Sequence, residues 1–188
     1  MIPFSVDQPS PRKDARRNRE RLIKAATEAF ASGDHVVRLE DVAKVAGVGV
    51  GTLYRNFPSR EALVEEVYRS ALARLCTGAE RLLATREPVE AMRTWMRRYQ
   101  AFVTTKRGMA EALRAVIASG AITSAQTREQ LSGAIGTILA AGVADGTMRN
   151  DVRPQDISAS LAGVMLAAVD TPQATRMLDL IVEGIRVR

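Results

Sequence analysis

Apolar residues recur every three to four positions along most of this chain, the spacing of helices that bury one face. Leu22, Ile23, Ala26, Ala29 and Phe30 mark a first helix that Gly33 can end. Leu39, Val42, Ala43 and Ala46 mark a short second one, followed by Gly47, which suits the left-handed turn after a helix. Val50, Leu53, Tyr54 and Phe57 form a third, with Gly49 before it and Pro58 after. Ser59 caps a long fourth helix carrying Leu63, Val67, Leu72, Leu75 and Leu82. Pro88 opens a fifth with the stripe Met92, Trp95, Met96, Tyr99, Phe102 and Val103, which Gly108 breaks. A sixth is expected over about residues 109–119. Thr123 and Gln126 have capping-box spacing for a seventh with Leu131, Ile135, Ile138 and Leu139. Pro154 opens an eighth through Ile157, Leu161, Val164 and Met165. Thr171 and Pro172 read as cap and first turn of a ninth with Met177, Leu178, Ile181 and Ile185. No segment alternates apolar and polar residues as a half-buried strand would, so the expected fold class is all-α with about nine helices.

Composition narrows the function classes. The chain has 188 residues, 46% hydrophobic and 26% charged, enough for one or two compact units. No apolar run reaches the roughly 18 residues of a membrane helix, and the start lacks the pattern of a signal peptide. A cytoplasmic location and no membrane partner are expected. Cys76 and His35 are single representatives of their types, so neither a disulfide nor a standard zinc site follows. Cys76 reads as a small packed residue and His35 as part of a polar connection. No cofactor is implied. Glu65 and Glu66 read as a solvated helical face, and no nucleophile–base pair suggests an enzyme.

The charge is uneven. Residues 1–60 carry 11 Lys/Arg against 7 Asp/Glu, whereas the remainder carries 16 against 14. A basic N-terminal third suits a polyanionic partner. Residues 1–14, with Pro3, Pro9 and Pro11, read as a flexible basic arm. Its basic end runs Arg12, Lys13, Arg16, Arg17, Arg19 and Arg21, and is either a solvated charged tail or a phosphate or minor-groove contact.

Residues 39–57 place two short helices either side of a tight turn at Gly47 and Gly49. This is the spacing of a helix-turn-helix, in which one helix crosses the DNA backbone and props the other in a major groove about 12 Å wide. Pattern alone leaves an ordinary helical hairpin as the alternative. The longer stretch over residues 19–68 resembles the N-terminal domain of the TetR family of bacterial repressors. The resemblance rests on Ala25-Ala26-x-x-Ala29-Phe30, on Asp41-Val42-Ala43-x-x-Ala46-Gly47-Val48, and on Gly51-Thr52-Leu53-Tyr54-x-x-Phe57-Pro58-Ser59-Arg60-Glu61-Ala62-Leu63. The stretch from Ala144 to Pro154 and the closing helix resemble a C-terminal variant of the same family. Residues 15–60 are then the DNA-binding domain and 61–188 an effector-binding and dimerisation domain.

The resemblance implies that Val50, Gly51, Thr52 and Arg55 face the groove. It implies that Tyr54 and Arg60 hold phosphates and that Asn56 does either. Arg55 is the expected base reader, because a guanidinium pairs with two acceptors on guanine. Leu53 and Phe57 go to the core, and the ring of Tyr54 can pack while its hydroxyl reaches outward. Lys44 and Arg38 join the expected DNA contacts. Arg38 stands where the family often has a capping Ser or Thr, and Gly49 where it often has Ser. The implied partners are an operator duplex, a second copy of the chain and a small hydrophobic or amphipathic effector. The dimer would form through the last two helices, about residues 154–187. There Ala159, Ala162, Gly163, Ala167 and Ala168 permit close approach, and Leu178, Ile181 and Ile185 supply an apolar stripe. The effector would lie among the fourth to eighth helices, with Trp95, Met96, Tyr99, Phe102, Met109, Leu113 and Met165 as lining candidates. Core packing is the competing reading for both sets. A regulator that works without a ligand or as an activator, a helical-bundle enzyme and a protein-interaction bundle are the other classes considered.

Overall fold

Local signals set most helix ends in the computed structural model, which describes residues 11–32 and 37–187. Nine helices form among the described residues: α1 (Pro11–Ser32), α2 (Leu39–Val45), α3 (Val50–Asn56), α4 (Arg60–Leu83), α5 (Pro88–Gly108), α6 (Ala110–Ala118), α7 (Ser124–Ala144), α8 (Pro154–Ala167) and α9 (Thr171–Ile185). The Ser59 hydroxyl accepts from the Ala62 N–H at 3.1 Å and starts α4. Glu61 follows in the first turn, where backbone N–H and Ser59 hydrogen bonds hold its carboxyl below the usual range. The Thr123 hydroxyl accepts from Gln126 N–H at 3.2 Å and starts α7. Pro88 and Pro154 stand at the first turns of α5 and α8, where a missing N–H costs no hydrogen bond.

Two expectations shift. α1 begins at Pro11, inside the segment expected to be an arm, because the residues after Pro11 are good helix formers. Residues 1–10, together with Gly33 and His35, lie outside the described residues. The cap of α9 is Asp170, whose carboxylate accepts from Gln173 N–H at 2.6 Å. Thr171 and Pro172 are already helical, and the carboxylate also complements the positive end of the helix.

The first three helices enclose a small core of Leu22, Ala26 and Phe30 from α1, Leu39, Val42 and Ala43 from α2, and Leu53 with Phe57 from the third helix and its end. Gly47, at φ 66°, closes α2: its N–H reaches the Lys44 carbonyl at 3.1 Å, and Val48 N–H reaches that of Ala43 at 3.0 Å. This two-bond cap needs a left-handed residue. α4 leads into a bundle in which α5 packs against α1, α4, α7 and α9. Trp95, Met92, Met96, Ile135, Ile138 and Leu161 are its fully buried side chains of note. The α7–α8 loop is tied to the chain end, with Arg149 N–H donating to the Ile185 carbonyl at 2.9 Å and Val187 N–H to that of Thr147 at 3.1 Å. No helix of the described residues is long and apolar enough to cross a membrane.

Candidate nucleic-acid interface and ligand groove

α3 is amphipathic over only seven residues. Leu53 and the following Phe57 point into the core, and this fixes which side faces out. Val50 is 40% and Tyr54 44% exposed, and Gly51 and Arg55 are exposed beside them. A Cβ added to Gly51 would meet nothing within 4 Å, so the free protein makes no demand for glycine there. Thr52 and Asn56 are half-buried. Asn56 Nδ2 donates to the Thr52 carbonyl at 2.8 Å, which turns that side chain back along its own helix. Arg55 folds back as well: Nε donates to the Gly51 carbonyl at 3.2 Å and Nη2 to Thr52 Oγ1 at 3.0 Å. These are exposed bonds, each of small net worth, and they exchange readily for acceptors on another molecule.

Arg38, at the start of α2, is exposed and makes no side-chain cap bond. Lys44 is exposed on α2, and Arg16 and Arg17 are exposed on α1. Arg16 and Glu20 approach to 3.6 Å, with both side chains mostly in solvent, a pair of little energetic consequence. Arg60 departs from expectation. It is half-buried, donates to the Val37 carbonyl at 2.5 Å and lies over the Phe30 ring at 5.9 Å. Its guanidinium holds the segment before α2 to the core. Arg19, expected in a solvated charged run or on a phosphate, is a second such strut. It donates to the Asn56 carbonyl at 3.2 Å, pairs with Glu66 and stands 4.5 Å over the Phe57 ring. The end of α3 is thereby fastened to α1 and α4, and Glu66 is part of that fastening instead of a solvated face.

A groove of about 1200 Å³ lies among α4–α8. Of the lining candidates, Tyr99, Phe102, Leu113 and Met165 border it. Trp95, Met96 and Met109 do not: they are fully buried in the core behind it. The Trp95 ring stacks on Tyr99 at 6.1 Å and its N–H donates to the Leu75 carbonyl at 2.9 Å. A 3.6-residue stripe shows that a face is apolar without showing whether a helix or a cavity lies opposite it.

The groove also takes in Tyr68, Lys106, Arg107, Arg114, Thr127 and Arg128, which sequence reading left out. They come from α4, α5, α6 and α7, and no local motif connects them. Tyr68 and Thr127 are hydrogen-bonded at 2.9 Å. The single Thr127 hydroxyl proton goes to the Thr123 carbonyl at 3.1 Å, so Tyr68 is the donor. Burial pushes the Tyr68 and Tyr99 phenols up, and the Cys76 thiol likewise. All three are neutral at ordinary pH. Among the described residues no group of three or more His, Cys, Asp or Glu is placed to hold a metal ion.

Comparison with known proteins agrees with this arrangement. Residues 22–67 match the model of bacterial regulatory proteins of the tetR family, and residues 87–187 match that of the SbtR-like transcriptional regulator C-terminal domain. A TetR transcriptional regulator from Streptomyces coelicolor is 44% identical, superposes with a TM-score of 0.80, and covers 89% of this chain and 98% of its own. A TetR regulatory protein from Mycobacterium vanbaalenii is 31% identical with a TM-score of 0.74, covering 95% of this chain and 100% of its own. Among curated relatives, the transcriptional repressor KstR2 of Rhodococcus jostii is 30% identical over 164 residues, 81% of this chain and 76% of its own length. An HTH-type regulator of Staphylococcus aureus is 31% identical over 80 residues, only 42% of either chain. With both halves matched in order and α3 held outward by its own core, the chain belongs to the TetR family of bacterial DNA-binding transcriptional regulators.

Proposed function

We propose that this chain is a dimeric repressor that binds a pseudo-palindromic operator and leaves it when a small molecule occupies the α4–α8 groove. The observation that carries the reading is the outward face of α3. Val50, Gly51, Tyr54 and Arg55 stand clear of a core that Leu53 and Phe57 fill. Residues 15–60 then read the DNA from the cytoplasm, with Arg38, Lys44, Arg16 and Arg17 on phosphates. Residues 61–188 take the effector and the second copy. The relative named as a repressor supports the sign of regulation.

The stripe expected from sequence is largely covered within the protomer, and the dimer face we propose lies beside it. Leu178 and Ile185 are buried in the protomer, and Ile181 is partly buried. The free apolar surface of α8 and α9 is instead Leu166 at 88%, Val169 at 85% and Leu180 at 72% exposure. Ala159, Ala162, Gly163 and Ala167 are exposed beside them. Large apolar side chains left this exposed favour an association site, and a two-fold contact would set the same residues of both copies against each other. Ala159, Ala162 and Leu166 also border the groove, so ligand site and dimer face adjoin.

The test is fluorescence anisotropy with duplexes from the DNA upstream of the chain's own gene, combined with sedimentation. One dimer should bind one pseudo-palindrome, in preference to scrambled DNA. Leu180→Arg should yield folded monomers that lose selective binding. Equal affinity for scrambled DNA sinks the regulator reading, and monomeric wild type at micromolar concentration sinks the dimer.

A further inference from the structure

The charges around the groove are nearly all of one sign. Lys106, Arg107, Arg114 and Arg128 line it, against a single carboxylate, Glu129. The groove thus concentrates a local excess of three positive charges in a chain whose whole excess is six. Among the described residues, Lys106, Arg114 and Arg128 enter none of the ion pairs. Arg107 donates to the Met165 carbonyl and so bridges the end of α5 to α8.

The floor is of different character. Tyr99, Phe102, Leu113, Ile122, Leu131 and Met165 are buried side chains that present apolar surface. The Tyr68 hydroxyl proton is used on Thr127 and that of Thr127 on Thr123. The Tyr99 and Ser158 hydroxyls add polar points to the lining, and recognition of charge falls to the cations at the edge. An inorganic anion would satisfy them but leave the floor wet. A neutral apolar molecule would cover the floor but gain nothing from the charges. Low-dielectric walls lined by one sign of charge focus the potential on a bound group of opposite sign. Guanidinium groups pair with carboxylates through two parallel hydrogen bonds.

We infer that the groove takes an amphipathic carboxylate, its apolar tail on the aromatic floor and its single anionic head among Lys106, Arg114 and Arg128. The inference rests on the groove being the ligand site proposed above, and it names the chemical class that site selects.

The probes are dodecanoate, dodecanol and dodecylamine, each titrated calorimetrically into the full-length protein at equal ionic strength. Dodecanoate should bind about tenfold more tightly than dodecanol, the effect of one charge-assisted hydrogen bond, and dodecylamine most weakly. Lys106→Gln with Arg114→Gln should remove that preference while leaving dodecanol binding unchanged. These side chains are exposed, and circular dichroism confirms that the variant folds. Arg16→Gln with Arg17→Gln, near the start of α1 and outside the groove lining, should leave the acid's affinity unaltered. Alcohol or amine binding as tightly as the acid overturns the inference. So does an absence of saturable acid binding, or a preference that persists in the groove variant or vanishes in the α1 variant. Operator release is read separately. Acid that binds selectively without weakening operator binding refutes the effector role and leaves the ligand class standing.

Discussion

The last residue of α5, Gly108, lies against the backbone of Phe30 on α1, so close that a Cβ on Gly108 would fall 1.9 Å from the Phe30 carbonyl oxygen. The three nearest atoms all belong to the Phe30 backbone, and none can swing aside. α5 thus meets α1 backbone to backbone at this point, and Gly108 lies between the groove residues Arg107 and Ala110.

Gly108→Ala should therefore force α1 and α5 apart. Overpacking costs about 1–3 kcal/mol, and the expected readout is a lower midpoint of thermal unfolding with weaker operator binding. Gly133→Ala is the control. It sits inside α7 with nothing within 4 Å of the added methyl, and there alanine should stabilise by about 0.5–1 kcal/mol. Equal midpoints for the two variants would contradict the close approach.

Arg55→Ala should weaken specific binding by about 1–3 kcal/mol, the discrimination that one bidentate pairing with a base supplies. Binding to scrambled DNA should change far less. Arg16→Gln with Arg17→Gln should act on both duplexes alike. It should lower the slope of log affinity against log salt by about 0.9 for each phosphate that is no longer neutralised. An unchanged slope would show that these arginines stay in solvent when DNA is bound.

Arg60 separates two readings of one residue. A phosphate ligand replaced by Gln lowers the salt slope by about one. A strut between Val37 and Phe30 replaced by Gln lowers thermal stability and leaves the slope alone. The inward geometry predicts the second outcome, measured by unfolding and by salt titration of the same variant.

Arg93 joins α5 to α9 through Asp179 at 2.5 Å and Glu183 at 2.8 Å. Its hydrogen bond is the largest cause holding the Glu183 carboxyl below its ordinary value of 4.5. A depressed carboxylate pKa stabilises the folded state above the unfolded pKa, and this is lost as pH falls through the folded one. Stability should thus decline below about pH 4.5, and Arg93→Gln should flatten that acid limb. Glu183 is solvent-exposed, so the effect should also shrink in high salt. Superimposable pH profiles for the two proteins would exclude the linkage.

What could be read from the chain alone is what neighbours in sequence decide. Ser59, Thr123, Gly47, Pro88 and Pro154 act on backbone groups within a few positions, so the helix ends they control were legible. The resemblance implied an outward Val50, Gly51, Thr52 and Arg55, and of these Thr52 is half-buried while Leu53 and Phe57, four apart, take the core side. The packing of distant helices settled the rest. Trp95 and Tyr99 lie on one stripe of α5, yet one ends in the core and the other on the groove. Leu178 and Leu180 are two apart on α9, so one is covered by the protomer and the other left bare. Arg60 turned inward because the Val37 carbonyl, 23 positions earlier, came within reach. A periodic pattern says that a surface is apolar or charged; only the elements brought opposite it determine whether it meets core, cavity or solvent.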